Sequence, residues 1–343
     1  MSGDLLDRLA PHHYPTIARL ILDTPTAAWV ESGDGSPSDN ATAYSRYRLL
    51  PRVLTGPSDV RSATTLLGAE VSAPIGIAPI GLQGALHPDG EIAMATGAAR
   101  AGSVMIVPVN STTPIPDIAA AAPDAVLWFQ LYNWQDRDSL AAVVAEAVKA
   151  GVRAIVPLVN TPLPVAHTPA SIGFRLPAGK SLAHGAGKHD LDATIDWAWL
   201  RWLVSTSGVP VVPKGIMHPD DARQAIDAGC PAVLISNHGG RQVSRSIATL
   251  TALGPVARAV GDRAEVYLDG GIRSGTDALI ALALGARAVF LGRLACWGLA
   301  VGGADGVART LDSVRAELVA EAGMCGVTDL SVLPDDLVAA AGT

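Results

Sequence analysis

Aromatic residues are scarce in this chain. Three phenylalanines, five tyrosines and seven tryptophans make up 4% of its 343 residues. Apolar residues still reach 49%, much of it alanine, which suits helices packed closely on a sheet rather than a core built on rings. Cysteine is rarer still. Cys230, Cys296 and Cys325 lie far apart without metal-ligand spacing, so no metal site is expected, and an odd number of scattered thiols fits ordinary buried residues in a reducing cytoplasm. Basic clusters are missing: 25 Lys and Arg against 32 acidic residues give a formal charge of −7. That balance argues against nucleic acid as a partner, because phosphate neutralisation needs grouped cations. No apolar run approaches the ~20 residues of a membrane span, and Arg293 interrupts the best candidate, near residues 279–301. The opening residues, Met1–Asp4, lead into no basic-then-apolar stretch, so no signal peptide is expected.

What is present is a repeat. From about residue 74, a short apolar run ends in Pro, Gly or a polar cluster and is followed by an Ala-rich amphipathic stretch. The runs are Ile75–Pro79, Val104–Val107, Val126–Gln130, Ala154–Leu158, Val209–Lys214, Ala232–Ser236, Glu265–Asp269 and Ala288–Gly292. Helical patterns between them, such as 90–101, 138–150, 219–228 and 275–284, stop at Gly102, Gly151, Gly229 and Gly285, where a helix is expected to end. Continuous apolar strands mean a parallel sheet buried on both faces. Eight βα repeats favour an α/β (β/α)8 TIM barrel. An open doubly wound sheet would want a Gly-rich fingerprint after its first strand, and residues 80–84 match it poorly. One unit over 1–343 is therefore expected. It comprises an N-terminal helical and loop segment (1–73) covering one end, the barrel (74–300), and a C-terminal helix and tail (301–343). The long Gly- and Pro-bearing stretch 161–191 after strand four reads as a lid or mobile active-site segment.

In such a barrel the site lies at the C-terminal ends of the strands. Strand five ends in Lys214, strand six in Ser236-Asn237-His238-Gly239-Gly240-Arg241-Gln242, strand seven in Asp269-Gly270-Gly271-Ile272-Arg273 and strand eight in Gly292-Arg293. The last two, with their glycines ahead of a helix, suit a phosphate. His238, followed by two glycines and then Arg241, suits a base beside an anchor for a carboxylate-bearing substrate. Lys214 suits stabilisation of negative charge on a cofactor ring.

Residues 236–242 (SNHGGRQ), 269–275 (DGGIRSG), 281–292 (ALALGARAVFLG) and 128–132 (WFQLY), with shorter matches at 87–91, 173–177 and 48–54, resemble the FMN-dependent 2-hydroxy-acid oxidases and dehydrogenases, the family of glycolate and lactate oxidase. The resemblance implies a role for each matching residue. His238 would be the base and Arg241 the partner of the substrate carboxylate, with Tyr132 touching the substrate. Lys214, Gln130 and Ser236 would face the isoalloxazine, with Pro79, Ile80 and Gly81 along its face. Asp269, Gly271, Arg273, Gly292 and Arg293 would hold the ribityl and phosphate end. It further implies oxygen or another acceptor as oxidant, and a homotetramer.

Departures gather at the substrate. Asn160 stands where the family has an aspartate bonded to the catalytic histidine, so it orients the ring without adding charge. His167 stands where a second substrate arginine is usual, and histidine does not reproduce a bidentate grip. The family's active-site tyrosine aligns with Glu31. Pro108 and Leu158 replace Ser and Thr, Pro213 replaces an aliphatic residue, and Ser244 a frequent Asp. These changes suggest a retained flavin site with a pocket rebuilt for a larger, amidated or amine-bearing substrate. The alternatives are an ordinary 2-hydroxy-acid oxidase, a flavin isomerase of the isopentenyl diphosphate type, and a flavin-binding protein without turnover.

Overall fold

The computed structural model describes residues 9–32, 39–56, 59–161, 173–185, 188–243 and 245–341. Three short helices, α1 (Tyr14–Ile21), α2 (Thr24–Glu31) and α3 (Asp39–Tyr44), lead to strand β1 (Tyr47–Leu49) and a hairpin of β2 (Thr64–Leu66) and β3 (Ala69–Val71). Eight strands follow: β4 (Ile75–Ile77), β5 (Val104–Pro108), β6 (Val126–Leu131), β7 (Ile155–Pro157), β8 (Lys214–Ile216), β9 (Ala232–Ile235), β10 (Glu265–Asp269) and β11 (Ala288–Leu291). They pair in parallel in the order β7-β6-β5-β4-β11-β10-β9-β8. Parallel bridges from Ile155 to Val211 and from Leu158 to Lys214 close the ring between β7 and β8. This is the expected (β/α)8 barrel.

Seven crossover helices wrap it: α4 (Gly90–Arg100), α5 (Ile115–Ala121), α6 (Arg137–Lys149), α7 (Trp197–Ser207), α8 (Pro219–Asp227), α9 (Thr249–Val260) and α10 (Gly275–Ala283). The four glycines read as helix stops all have positive φ, as that role requires. The last helix, α11 (Arg293–Met324), kinks at Gly302–Gly303, where the backbone leaves helical angles. A final strand, β12 (Val338–Ala340), pairs antiparallel with β1.

Two expectations need correction. Strand five was placed over Val209–Lys214, but regular pairing begins at Lys214, and Val211 makes only an isolated bridge. Pro210 and Pro213 lack the N–H a ladder needs, so this stretch contributes carbonyls, as in Ile155 N–H to Pro210 O at 2.8 Å. The N-terminal segment also covers both ends of the barrel rather than one. Leu66 and Val71 of the hairpin pack into the barrel interior, and Leu67 N–H bonds Glu265 at the start of β10. At the opposite end, Tyr44 Oη donates to Gly270 O at 3.2 Å, just past the end of β10.

The few aromatics are concentrated where they count. Trp128, Tyr267 and Phe290 fill the barrel interior with ring centroids 5.4–5.6 Å apart. Gly76 makes room for them, since a Cβ there would lie 2.5 Å from the Phe290 ring. Among the described residues, no helix is long and apolar enough to cross a membrane. Truncating Trp128 to Ala removes the largest of the three rings and should cost about 3–5 kcal/mol, read as a lower denaturation midpoint. Leu54→Ala, at a fully exposed side chain, should leave the midpoint within about 0.5 kcal/mol of the parent.

Candidate active site

One cavity opens at the C-terminal mouths of the strands. Its wall carries Pro79, Ile80, Gly81 and Leu82 after β4, Pro108 and Asn110 at β5, and Gln130 and Tyr132 at β6. It continues with Leu158 and Thr161 after β7, Lys214, then His238, Gly239, Arg241 and Gln242 after β9, Asp269–Arg273 at β10, and Gly292 and Arg293 after β11. The N-terminal segment adds Trp29, Val30, Ser32 and Asn40. Thirteen of the residues expected at the site thus share this wall. Ser236 and Asn160 stand behind it, and His167 and Ser244 lie outside the described residues.

The Lys214 ammonium donates to Ser236 Oγ at 2.8 Å and pairs with Asp269 Oδ2 at 3.0 Å, all three buried. Ser236 Oγ also accepts from His238 N–H at 3.1 Å, so both its lone pairs are used in supporting Lys214 and the His238 backbone. Several buried polar atoms of this region have no partner among the described residues: Gln130 Nε2, Asp269 Oδ1 and Thr161 Oγ1 on the wall, and Asn160 Oδ1 behind it. A buried unpaired polar atom costs about 1–3 kcal/mol. Such a set on one cavity indicates groups that a ligand completes. The donors and acceptors suit the flavin that the resemblance implies. The Gln130 amide, the Lys214 ammonium and the Asp269 carboxylate paired with it all belong to residues of the cavity wall.

His238 has φ +58°, and Gly239 and Gly240 follow at +65° and +78°. Three successive left-handed residues are unusual, and the first carries a side chain, so the turn needs support. Ser236 supplies it at the His238 N–H, and Asn237 Oδ1 accepts from Gly240 N–H at 3.2 Å. Asn237 is fixed in turn by a reciprocal amide pair with Asn40, at 2.8 and 3.0 Å. Desolvation, and then the positive charges of Lys214 and Arg241, push the His238 imidazole well below its ordinary value. Burial raises the Tyr132 hydroxyl, which therefore stays protonated and able to donate. The ring neighbour of His238 is Gln242, whose amide nitrogen lies 3.1 Å from Nδ1. The Asn160 amide, expected in that role, instead donates to Ser236 O at 3.2 Å.

Arg241 and Arg293 both donate to carbonyls at the end of α2. Arg241 reaches Trp29 O, Val30 O and Ser32 O, and Arg293 reaches Val30 O and Ser32 O, at 2.9–3.2 Å. Cations are favourable at a helix C-terminus, so the two arginines also dock α2 onto the site. Glu31 does not face the cavity; its carboxylate turns outward to Arg19. The residue that α2 offers is Trp29. Its ring packs on Phe174 with centroids 5.2 Å apart and lies 6.0 Å from the Arg241 guanidinium. Trp29 and Asn40 thus line the cavity without a signal in the sequence, and Gln242, part of the SNHGGRQ motif but given no role from it, lines it as well.

At the phosphate end, the start of α10 is already capped. Ser274 Oγ accepts from Asp277 N–H at 3.1 Å, and Glu317 from Gly275 N–H at 3.0 Å. Helix α11 differs, because Gly292 is its N-cap, no side chain caps it, and a Cβ at Gly292 would meet open space. A helix start without a side-chain cap suits an anion held by backbone N–H groups. Gly271 closes the cavity from the other side, pressed so near the N-terminal segment that a Cβ would lie 2.4 Å from Asn40 O. The described part of the long loop is fastened to the barrel. Ala183 N–H bonds Ser111 O at 2.8 Å, and His184 Nε2 accepts from Ile115 N–H at 3.2 Å. Cys230 and Cys325 are buried as expected, but Cys296, also buried, reaches the cavity wall, its thiol pushed up to about 12 by burial.

The FMN-dependent dehydrogenase family pattern matches residues 18–340. A lactate oxidase from a Nostoc species is 36% identical over 343 aligned positions, covering 92% of this chain and 94% of its own. Human 2-hydroxyacid oxidase 1 is 36% identical, covering 95% of each chain. Among solved structures, a mandelate oxidase variant with (S)-mandelic acid superposes with a TM-score of 0.88 at 33% identity, covering 94% of this chain and 96% of that one.

The sign of the His238 shift gives a test. A base works unprotonated, so depressing its protonation extends activity toward acid. kcat/KM should stay level as pH falls through about 6.5, the ordinary histidine value, and decline only well below it. A pH–rate profile with its acid limb at or above 6.5 contradicts this environment for His238.

Proposed function

The chain belongs to the FMN-dependent dehydrogenase family, and from that premise we propose that it oxidises 2-hydroxy acids bearing a bulky apolar side chain, aromatic ones foremost. The observation that carries this reading is the presence of His238 and Arg241 together on a cavity whose buried Gln130 Nε2 and Asp269 Oδ1 lack partners among the described residues. FMN, when bound, supplies a hydride acceptor. Gln130 and Lys214 would hold its ring system, with Pro79, Ile80 and Gly81 along one face. Asp269 would hold the ribityl chain, and Gly271, Arg273, Gly292 and Arg293 the phosphate.

Toward the substrate, Arg241 pairs with the carboxylate and the protonated Tyr132 hydroxyl donates a second bond. His238 would take the proton of the C2 hydroxyl and become imidazolium, and bound FMN would supply the acceptor for the C2 hydride, which balances the substrate's conversion to a 2-oxo acid. Lys214 would supply positive charge to the ring system that accepts the electrons. Oxygen as final acceptor is favoured by the names of the relatives, both called oxidases, and peroxide formation tests it. A homotetramer and a cytoplasmic location belong to the same proposal. Exposed Met324 and Val332 are apolar surface that an assembly would cover, and three free, buried cysteines suit a reducing compartment.

The side-chain preference rests on Trp29. A carboxylate held by Arg241 would set the rest of a small acid near Trp29, whose ring lies 6.0 Å from that guanidinium, while Pro108 and Leu158 add apolar surface to the cavity wall. The similarity to a mandelate oxidase points the same way. An amine-bearing substrate loses its support, because the Glu31 carboxylate faces away.

Steady-state kinetics check the proposal. kcat/KM for (S)-mandelate should exceed that for glycolate by at least about 100-fold. Trp29→Ala should raise KM for the aromatic acid about 10-fold, the value of one good ring contact. His238→Gln should lower kcat by about 10²–10⁴-fold with flavin content unchanged. Turnover of glycolate at micromolar KM would sink the preference for bulky acids.

A further inference from the structure

A histidine that takes a proton on one ring nitrogen needs its other nitrogen already protonated and bonded to an acceptor. In His238 the nitrogen with a partner is Nδ1, 3.1 Å from Gln242 Nε2, and a half-turn of that amide exchanges its nitrogen for its oxygen. Asn160 does not supply that bond, since its Nδ2 goes to Ser236 O and its Oδ1 has no partner among the described residues. The left-handed run at 238–240 turns the chain back so that the side chain four residues on meets the ring. The charged groups acting on the ring are Lys214 from β8, itself paired with Asp269 of β10, and Arg241 from the same loop. Tyr132 from β6 shares the cavity.

We propose that Gln242 is the positioning residue of His238. Its amide, turned so that Oε1 meets the ring, accepts from Nδ1–H, fixes the Nδ1–H tautomer and leaves Nε2 open to the substrate hydroxyl. With Nε2 toward Nδ1, the orientation of the structure, the amide would donate and leave the proton on the nitrogen that has to receive one, which would stop the reaction until the amide makes its half-turn. The amide is neutral, so it orients the ring without the charge that a carboxylate would bring. The inference rests on the reading of His238 as base, and it moves the orienting role from Asn160 to a residue on the His238 loop itself.

The test uses FMN-loaded protein labelled with ¹⁵N-histidine, the His238 ring signals being those lost in His238→Gln. The wild-type ring should show a protonated Nδ1 and an unprotonated Nε2 near neutral pH. Gln242→Leu should blur that single tautomer and lower kcat about 10-fold, with KM for the 2-hydroxy acid little changed. Gln242→Glu should restore an acceptor and add a charge. Its kcat should recover toward the parent, and the acid limb of kcat/KM should move up by about 1–3 pH units. A side chain that merely fills space would not move that limb. A wild-type ring protonated at Nε2, or a limb in Gln242→Glu unmoved from the parent, overturns the proposal. If His238→Gln keeps full turnover, the base assignment fails while the ring spectrum still decides the role of Gln242.

Discussion

A single ammonium group, held between a carboxylate and a hydroxyl at the mouths of three neighbouring strands, sets the conditions for the rest of the site. Lys214, Ser236 and Asp269 come from β8, β9 and β10, and their contacts of 2.8 and 3.0 Å are out of water. Such a pair is costly to bury and more costly to break, since removing either member strands the other charge. The surrounding barrel therefore keeps both. Ser236 passes the constraint on by holding the His238 backbone in its left-handed turn. Burial is the main reason the imidazole stays neutral, and the Lys214 charge, with that of Arg241, adds to it.

The N-terminal segment completes what the barrel begins. Its hairpin fills the floor beneath Trp128, Tyr267 and Phe290, and its helices close the top. Two arginines, read from sequence as ligand anchors, also grip the end of α2, and that grip brings Trp29 into the cavity. The anchor for the carboxylate and the wall for the side chain are therefore positioned by one set of hydrogen bonds. Asn40 adds a second tie through Asn237, so the segment bears on both sides of His238.

Much of this could be read from residues alone, for a physical reason. A parallel barrel gathers its chemistry at strand ends, so Lys214, His238, Arg241, Asp269, Arg273 and Arg293 could be placed on one mouth by counting strands. Helix stops at Gly102, Gly151, Gly229 and Gly285 were legible because positive φ selects glycine. Other features were not. Pro210 and Pro213 shortened a strand whose apolar run looked continuous. Glu31 and Trp29 are two positions apart on one helix, so a small alignment shift exchanges the outward face for the inward one. Asn40 acts on a residue 197 positions away, which no local pattern reveals. Gln242 stood inside the motif, but its contact with His238 depends on three left-handed residues that spacing does not show.

The central claim is that this cavity holds FMN and passes it a hydride from a bulky 2-hydroxy acid. The visible spectrum of the purified protein, recorded without oxygen before and after adding (S)-mandelate, tests it most directly. The expected result is an oxidised flavin band that bleaches within the dead time of mixing or soon after. A flavin band that persists with mandelate and with every other 2-hydroxy acid tried, or no flavin band after incubation with FMN, would contradict it.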